Sequence, residues 1–319
     1  MEAIVKNQAC SVLLPLYNGA HFLESAISSN LESMRDIDEL LIINDGSQDI
    51  SKEELKKFES RDSRIRIINK SHTGLVETLN HGITHCENEL IARADMDDKY
   101  SPMRILKQVN HMTSNPNCAA VFSDYQLQTI DGNDLGVIPT AISPILTKFS
   151  LFNPQRTPHP SVMFRKSAVK DVGFYNSSDF PAEDLSLWVK LSKYFEISTI
   201  PETLLYYTVH KANITSKHQL EMVRKTKALV EKLSTDIYFE QVLNDAKESF
   251  KVYDSSSKSL ERKLLFFRDL DKFLRLSQNR RFDHLTQQVL LFGKVVRPSI
   301  VPKLIQLRKM QYRRKISKL

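Results

Sequence analysis

The feature that most constrains this chain is the regular exchange of two hydrophobic periods over its first 125 residues. Short β-like runs, "CSVLLPL" (10–16), "ELLIIN" (39–44), "IRIIN" (65–69), "ELIARA" (89–94) and "AAVFSDY" (119–125), alternate with helical patterns at about 21–30, 51–60, 74–85 and 102–114. Strands separated by helices cannot pair as hairpins, so they must cross over and lie parallel, with helices covering both faces. The expectation is an α/β fold with a Rossmann-like, mainly parallel sheet flanked by helices, whose ligands gather at the carboxyl ends of the strands.

Beyond Tyr125 the pattern loosens into the turn "DGND" (131–134), a helix near 144–152, the stretch "HPSVMFRKS" (159–167), a helix over about 183–193 and strands near 195–200 and 203–209. After His210 the chain turns helical and polar, with a Ser-rich break at "YDSSSKS" (253–259). A boundary near residue 215 divides the chain into a catalytic-type domain, 1–215, and a helical C-terminal extension, 216–319. At 319 residues the chain can bury a large core, and no run approaches the roughly 20 apolar residues of a membrane span. Cys10, Cys86 and Cys118 are odd in number and have no metal-like spacing, so they read as reduced thiols in a cytoplasmic protein.

The strand ends then supply the chemistry. The first runs into "PLYNGAHF", which has neither the GxGxxG turn of dinucleotide folds nor a P-loop lysine. It offers Tyr17, either a core tyrosine beside a turn or a flat ring on which a base could stack. The second ends in "NDGSQD"; Asp45 is ordinary turn chemistry or an acceptor for the imide N–H of uracil. The fourth runs into "ARADMDDKYSPMR", where Asp95, Asp97 and Asp98 repel one another unless a cation joins them. Mn²⁺ or Mg²⁺ would relieve that crowding and take its other ligands from substrate phosphates; alternatively, Asp98 or Ser101 caps the helix that Pro102 begins. Farther on, "FPAEDLSLWVKL" places Glu183 and Asp184 where they favour a helix dipole or supply a general base, with Trp188 near a sugar face. In "YYTVHKANIT", His210 is structural or completes a metal's coordination.

Taken in order, "SVLLPLYNGAHFLESAISS", "LLIINDGSQD", "GLVETLNHGI", "ARADMDDKYSPMRI", "HPSVMFRKS", "PAEDLSLWVKL" and "YYTVHKANIT" resemble the successive motifs of the family 2 glycosyltransferases of the GT-A fold, over about residues 10–215. The likeness is greatest to bacterial members that build O-antigen, capsule or other surface polysaccharide. It implies that Tyr17 and Asp45 hold the uracil of a UDP-sugar, with Pro15 in the turn beside it and Asn80 in a segment lining the donor pocket. It further implies that Asp95 faces ribose or sugar, that Asp97 meets the divalent metal with Asp98 sharing either task, and that His210 closes over metal or diphosphate. Asp184 would be the catalytic base, with Glu183 and Trp188 toward the acceptor, a glycan or lipid-linked oligosaccharide. Two positions depart from the family pattern: Asn44 replaces the first Asp of the usual DDGS, and the "GLVETLN" segment lacks the arginine that many relatives carry beside its asparagine. The alternatives are a sugar-nucleotide nucleotidyltransferase, which would bring a Gly-rich phosphate loop after the first strand, and a non-catalytic nucleotide- or glycan-binding module on the same fold.

The net charge of +7 is unevenly spread. From His284 to Leu319 there is no acidic residue, while Lys294, Arg297, Lys303, Arg308, Lys309, Arg313, Arg314, Lys315 and Lys318 are all basic. Basic character confined to the tail argues against a nucleic-acid groove in the main domain. The apolar residues within "SIVPKLIQLRKMQYRRKISKL" fit either a solvated helix or a basic amphipathic segment on an anionic leaflet. The expectation is a cytoplasmic protein peripheral to the inner face of the membrane.

Overall fold

The structure, a computed structural model, describes residues 8–140, 157–210 and 218–234, with positions 147, 151, 213 and 241. The chain begins β1 (Cys10–Leu16), α1 (Ala20–Ser33), β2 (Glu39–Asp45), α2 (Lys52–Glu59), β3 (Ile65–Lys70), α3 (Leu75–His85) and β4 (Leu90–Arg93). It continues through β5 (Lys99–Tyr100), α4 (Arg104–Ser114), β6 (Cys118–Gln128) and β7 (Asp134–Ile138). The later elements are β8 (Met163–Arg165), α5 (Lys166–Asp171), α6 (Glu183–Tyr194), β9 (Glu196–Thr208) and α7 (Gln219–Ser234). The helix expected near 144–152 apart from positions 147 and 151, the Ser-rich break, the basic tail and all of the C-terminal extension beyond α7 apart from position 241 lie outside the described residues. Among the described residues no helix is long and apolar enough to cross a membrane, and the three cysteines are free and buried.

One sheet runs β3-β2-β1-β4-β8-β6-β9-β5, with β7 paired to β6. The first four strands are parallel, β8 lies antiparallel between β4 and β6, and β6 and β9 are parallel. Side chains alternate across β1 and β2. Leu13, Leu41 and Ile43 meet Val76, Leu79 and Ile83 of α3 on one face, while Val12, Leu14, Leu40 and Ile42 join α1 and α4 on the other. The α3 face packs so closely that a Cβ at Gly82 would stand 2.3 Å from Leu13 Cδ1, so glycine is required there.

The sheet is doubly wound, and its chain order reverses at β1, which pairs with β2 on one side and β4 on the other. A crevice opens at the carboxyl ends of strands where order reverses in this way. β1 loses its β4 neighbour after Leu13, which makes room for Pro15 and its missing N–H in an otherwise central strand. The region expected as two strands, 195–200 and 203–209, is the single strand β9. Exposed Pro201 falls where the β6 register shifts between Ser123↔Ile200 and Asp124↔Thr203, so the proline bends the strand without ending it.

Candidate active site

Three segments leave the carboxyl ends of β1, β2 and β4 together and form the crevice. The first two are laced to one another. Asn18, at φ 48°, accepts from Gln48 N at 2.9 Å, Ser47 Oγ accepts from Asn18 N at 3.1 Å, and Asp49 accepts from Ala20 N at 2.9 Å. This ties the turn after Tyr17, 48% exposed, to the turn after Asp45, which is 2% exposed. Asp45 is not an open acceptor. It accepts from the Thr73 and Gly74 N–H groups at 2.9 Å each and from the Lys70 ammonium, and His72 Nδ1 lies 2.9 Å from its Oδ2. Burial opposes its charge, but these donors hold its carboxyl below the usual carboxylate range. The His72 ring lies on Tyr17, with centroids 4.0 Å apart and planes at 19°.

After β4 the ligand atoms of Asp95, Asp97 and Asp98 lie within 4.8 Å of one another. Asp97 Oδ2 is 2.7 Å from His210 Nε2, so a loop beyond β4 meets the end of β9. Asp98 is buried; its Oδ1 accepts from Thr208 N at 2.8 Å while its Oδ2 has no partner among the described residues. Burial, then Asp95 and Asp97, push the Asp98 carboxyl well up. Neither Asp98 nor Ser101 caps the next helix through its side chain. α4 starts at Arg104 after Met103, and Pro102 stays in the preceding turn. An acidic cluster with an orphaned buried oxygen and a histidine on one member is an arrangement that could hold a divalent cation.

Arg93, fully inside the protein, pairs with Asp95. Its Nε has no hydrogen-bond acceptor among the described residues. Burial raises the Asp95 carboxyl and Arg93 counters it. The same guanidinium biases His159, Tyr175, Glu183 and Asp184. Glu183 is 5% exposed, and its Oε2 has no donor among the described residues. Asp184 accepts from Leu185 N at 2.6 Å. Burial and mutual repulsion push Glu183 up to about 8, and burial pushes Asp184 up to about 6, so the pair holds a proton near neutral pH.

One expectation is corrected. Trp188 faces the interior, not a sugar. It is 0% exposed and packs edge-on against Phe122 at 5.4 Å, with His159 and Tyr175 beside it, because α6 turns its Trp188 face onto the sheet. The structure gives Asn80 a task on the backbone of Tyr175. Its Oδ1 accepts from Tyr175 N at 3.1 Å and its Nδ2 donates to Tyr175 O at 3.0 Å, so both ends of the amide are engaged. Reading the sequence missed Lys70, His72, Arg93, His159 and Tyr175. Arg93 did leave a signal, a cation inside the apolar strand "LIAR" that could be buried only against anions.

Comparison with known proteins agrees with this architecture. The model of the family described as Glycosyl transferase family 2 matches residues 11–173. An uncharacterized glycosyltransferase of Haemophilus influenzae is 27% identical over 288 residues, covering 82% of this chain and 87% of that protein. TuaG of Bacillus subtilis, named for teichuronic acid biosynthesis, is 29% identical over 126 residues, 39% of this chain and 50% of its own length. Among solved structures, Staphylococcus aureus TarS 1–349 in complex with UDP-GlcNAc superposes with TM-score 0.60 at 17% identity, covering 87% of this chain and 84% of that one. The mannosyltransferase PcManGT of Pyrobaculum calidifontis, in complex with GDP-Man and Mn²⁺, gives 0.55 at 15% identity, covering 88% and 84%. These likenesses establish the shared fold.

Proposed function

The chain belongs to glycosyl transferase family 2, and from that premise we propose that it transfers a hexose or N-acetylhexosamine from a UDP-sugar, with inversion and with a divalent metal, to a hydroxyl of a glycan or lipid-linked oligosaccharide. The observation that carries this reading is the meeting of Asp97 with His210 at 2.7 Å inside a cluster of three aspartates at the crevice of the sheet. The UDP-GlcNAc bound by TarS and the Mn²⁺ bound by PcManGT support it as properties of those neighbours. TuaG's name favours a surface polysaccharide as product.

In this reading Tyr17 stacks on the uracil, Asp45 accepts its imide N–H, and Pro15 shapes the turn beneath. Asp95, held by Arg93, faces ribose or sugar, while Asp97, Asp98 and His210 would hold Mn²⁺ or Mg²⁺. The cation supplies positive charge where the departing diphosphate gains negative charge. Asp184 takes the proton from the acceptor hydroxyl as its oxygen bonds to the anomeric carbon and the opposite bond, to the diphosphate, breaks. A sugar hydroxyl donating to the orphaned Oε2 of Glu183 would satisfy that atom and place the acceptor beside the base.

The test is UDP release from a panel of UDP-sugars with Mn²⁺, scored for slow donor hydrolysis. One donor should stand out, and Asp97→Ala should abolish its turnover. Equal release by the variant would sink the metal reading, and release by the wild type no faster than without protein would revive a non-catalytic binding module. The basic tail adds a proposal of its own, that its nine cations rest on an anionic cytoplasmic leaflet. Removing residues 294–319 should then release the protein from phosphatidylserine vesicles in low salt, and unchanged binding would exclude it.

A further inference from the structure

His72 makes the same two contacts that a uracil base would make in this site. Its ring is stacked on Tyr17, with centroids 4.0 Å apart and planes at 19°. Its Nδ1 stands 2.9 Å from Asp45 Oδ2 and 3.2 Å from the Asp45 carbonyl. With two oxygen acceptors facing it, Nδ1 carries the proton and donates. A flat ring with an N–H aimed at Asp45 is the chemical outline of the uracil imide edge.

The other bonds to Asp45 belong to the loop. The Thr73 and Gly74 N–H groups and the Lys70 ammonium bind the carboxylate whether or not the imidazole is there. The loop backbone is also fixed from beneath. Gly46 lies at φ +72°, and a Cβ there would meet His72 N at 2.8 Å, so the "DGS" turn and the loop fit only with glycine between them. The side chain of His72, by contrast, is 50% exposed. It is the part of this assembly that can swing into solvent without breaking a backbone bond.

Two rings stacked at 4.0 Å leave no gap for a third. The geometry points to His72 as a surrogate base: in the free protein the imidazole occupies the seat between Tyr17 and Asp45, and the base of the nucleotide donor displaces it. This rests on the UDP-sugar reading above and adds a donor-site residue to it. Displacement makes the observed affinity the intrinsic one reduced by the fraction of molecules whose seat is open. The exchange also keeps Tyr17 covered until the donor arrives, so the seat is organised before it is filled.

Calorimetric titration of UDP with Mn²⁺ into the full-length protein separates the possibilities. His72→Ala should tighten UDP about fivefold, because the competitor is gone, while Tyr17→Ala should weaken it about tenfold through lost stacking. In the wild type, the His72 ring protons, followed by NMR, should leave their Tyr17-shielded positions as UDP saturates the site. Unchanged or weaker UDP binding by His72→Ala, or His72 resonances that stay put at saturation, overturns the surrogate. If neither Tyr17→Ala nor Asp45→Asn alters UDP affinity, the uridine reading itself fails, a different result from the failure of His72 alone.

Discussion

The seat around Asp45 and the acidic centre around Asp95 to Asp98 and Glu183–Asp184 are built from the same residue types and end in opposite electrostatic states. Asp45 receives donors from Lys70, His72, Thr73 and Gly74, and its carboxyl is held low. In the acidic centre, Asp98 and Glu183 each keep a buried oxygen with no partner among the described residues, and Asp95, Asp98, Glu183 and Asp184 are all raised. Local structure accounts for the difference. A loop turning over the end of β2 presents successive N–H groups to Asp45, whereas Glu183 and Asp184 at the start of α6 are raised by burial and, through space, by Asp95 after β4. One region is closed by the chain itself; the other retains charge that a cation and substrate would complete. Raised carboxyl groups in a cleft are functional-site candidates for that reason.

The largest effect is expected in the acidic centre. Asp184→Asn keeps the shape and removes the proton acceptor, so transfer should fall about a thousandfold or more while UDP binds nearly as in the wild type. Single-turnover rates and a UDP titration read the two separately. A parallel loss of UDP affinity would make Asp184 a structural member of the crevice and would erase the contrast with Asp45.

Much of the frame was legible because the two hydrophobic periods are clean. The expected strands at 10–16, 39–44 and 65–69 fall within a residue of β1, β2 and β3, and Asp95, Asp97 and Asp98, crowded in the sequence, also gather in space. What escaped depends on the third dimension. Periodicity shows that Trp188 is on an apolar stripe of α6 but not that the stripe is sealed by Phe122, Phe164 and Tyr175. The role of Asn80 depends on Tyr175, 95 residues away, and a ring in a loop such as His72 has no periodicity at all. Pro201 misled because a proline in a strand reads as a break unless a register shift absorbs it.

The same contrast predicts opposite pH dependences of stability. A carboxyl held low in the folded state, as at Asp45, stabilises above its ordinary value near 4, and that contribution is lost as pH falls through the folded value. A carboxyl held high does the reverse: its contribution is complete below its ordinary value and is lost as pH rises through the folded value. For Asp184 and Glu183 those folded values are about 6 and about 8. Metal-free protein should therefore gain about 4 kcal/mol between pH 8.5 and pH 5.5, and then lose stability below pH 4. Thermal unfolding across that range checks the sign. Asp184→Asn should remove the part of the slope between about pH 4 and 6 and, by taking away a neighbouring charge, shorten the Glu183 part above it; a profile flat in the wild type would mean that Asp184 and Glu183 are not raised.

The smallest effect tests the wall behind the acidic centre. Asn80, on α3, clamps the backbone of Tyr175 from both sides, at 3.1 and 3.0 Å. The Tyr175 hydroxyl is in turn 2.7 Å from His159 Nε2, close to the Arg93 charge. Asn80→Ala removes two hydrogen bonds and leaves the N–H and C=O of a residue only 4% exposed in search of partners. Stability should drop by about 1 to 2 kcal/mol, read as a lower urea midpoint at unchanged slope. The KM for the UDP-sugar should stay within about twofold, because a group that binds only protein contributes no uniform binding of substrate. A KM raised tenfold at unchanged stability would place Asn80 in the donor pocket and make Tyr175 its neighbour there, moving the border between the self-satisfied and the waiting parts of this crevice across α3.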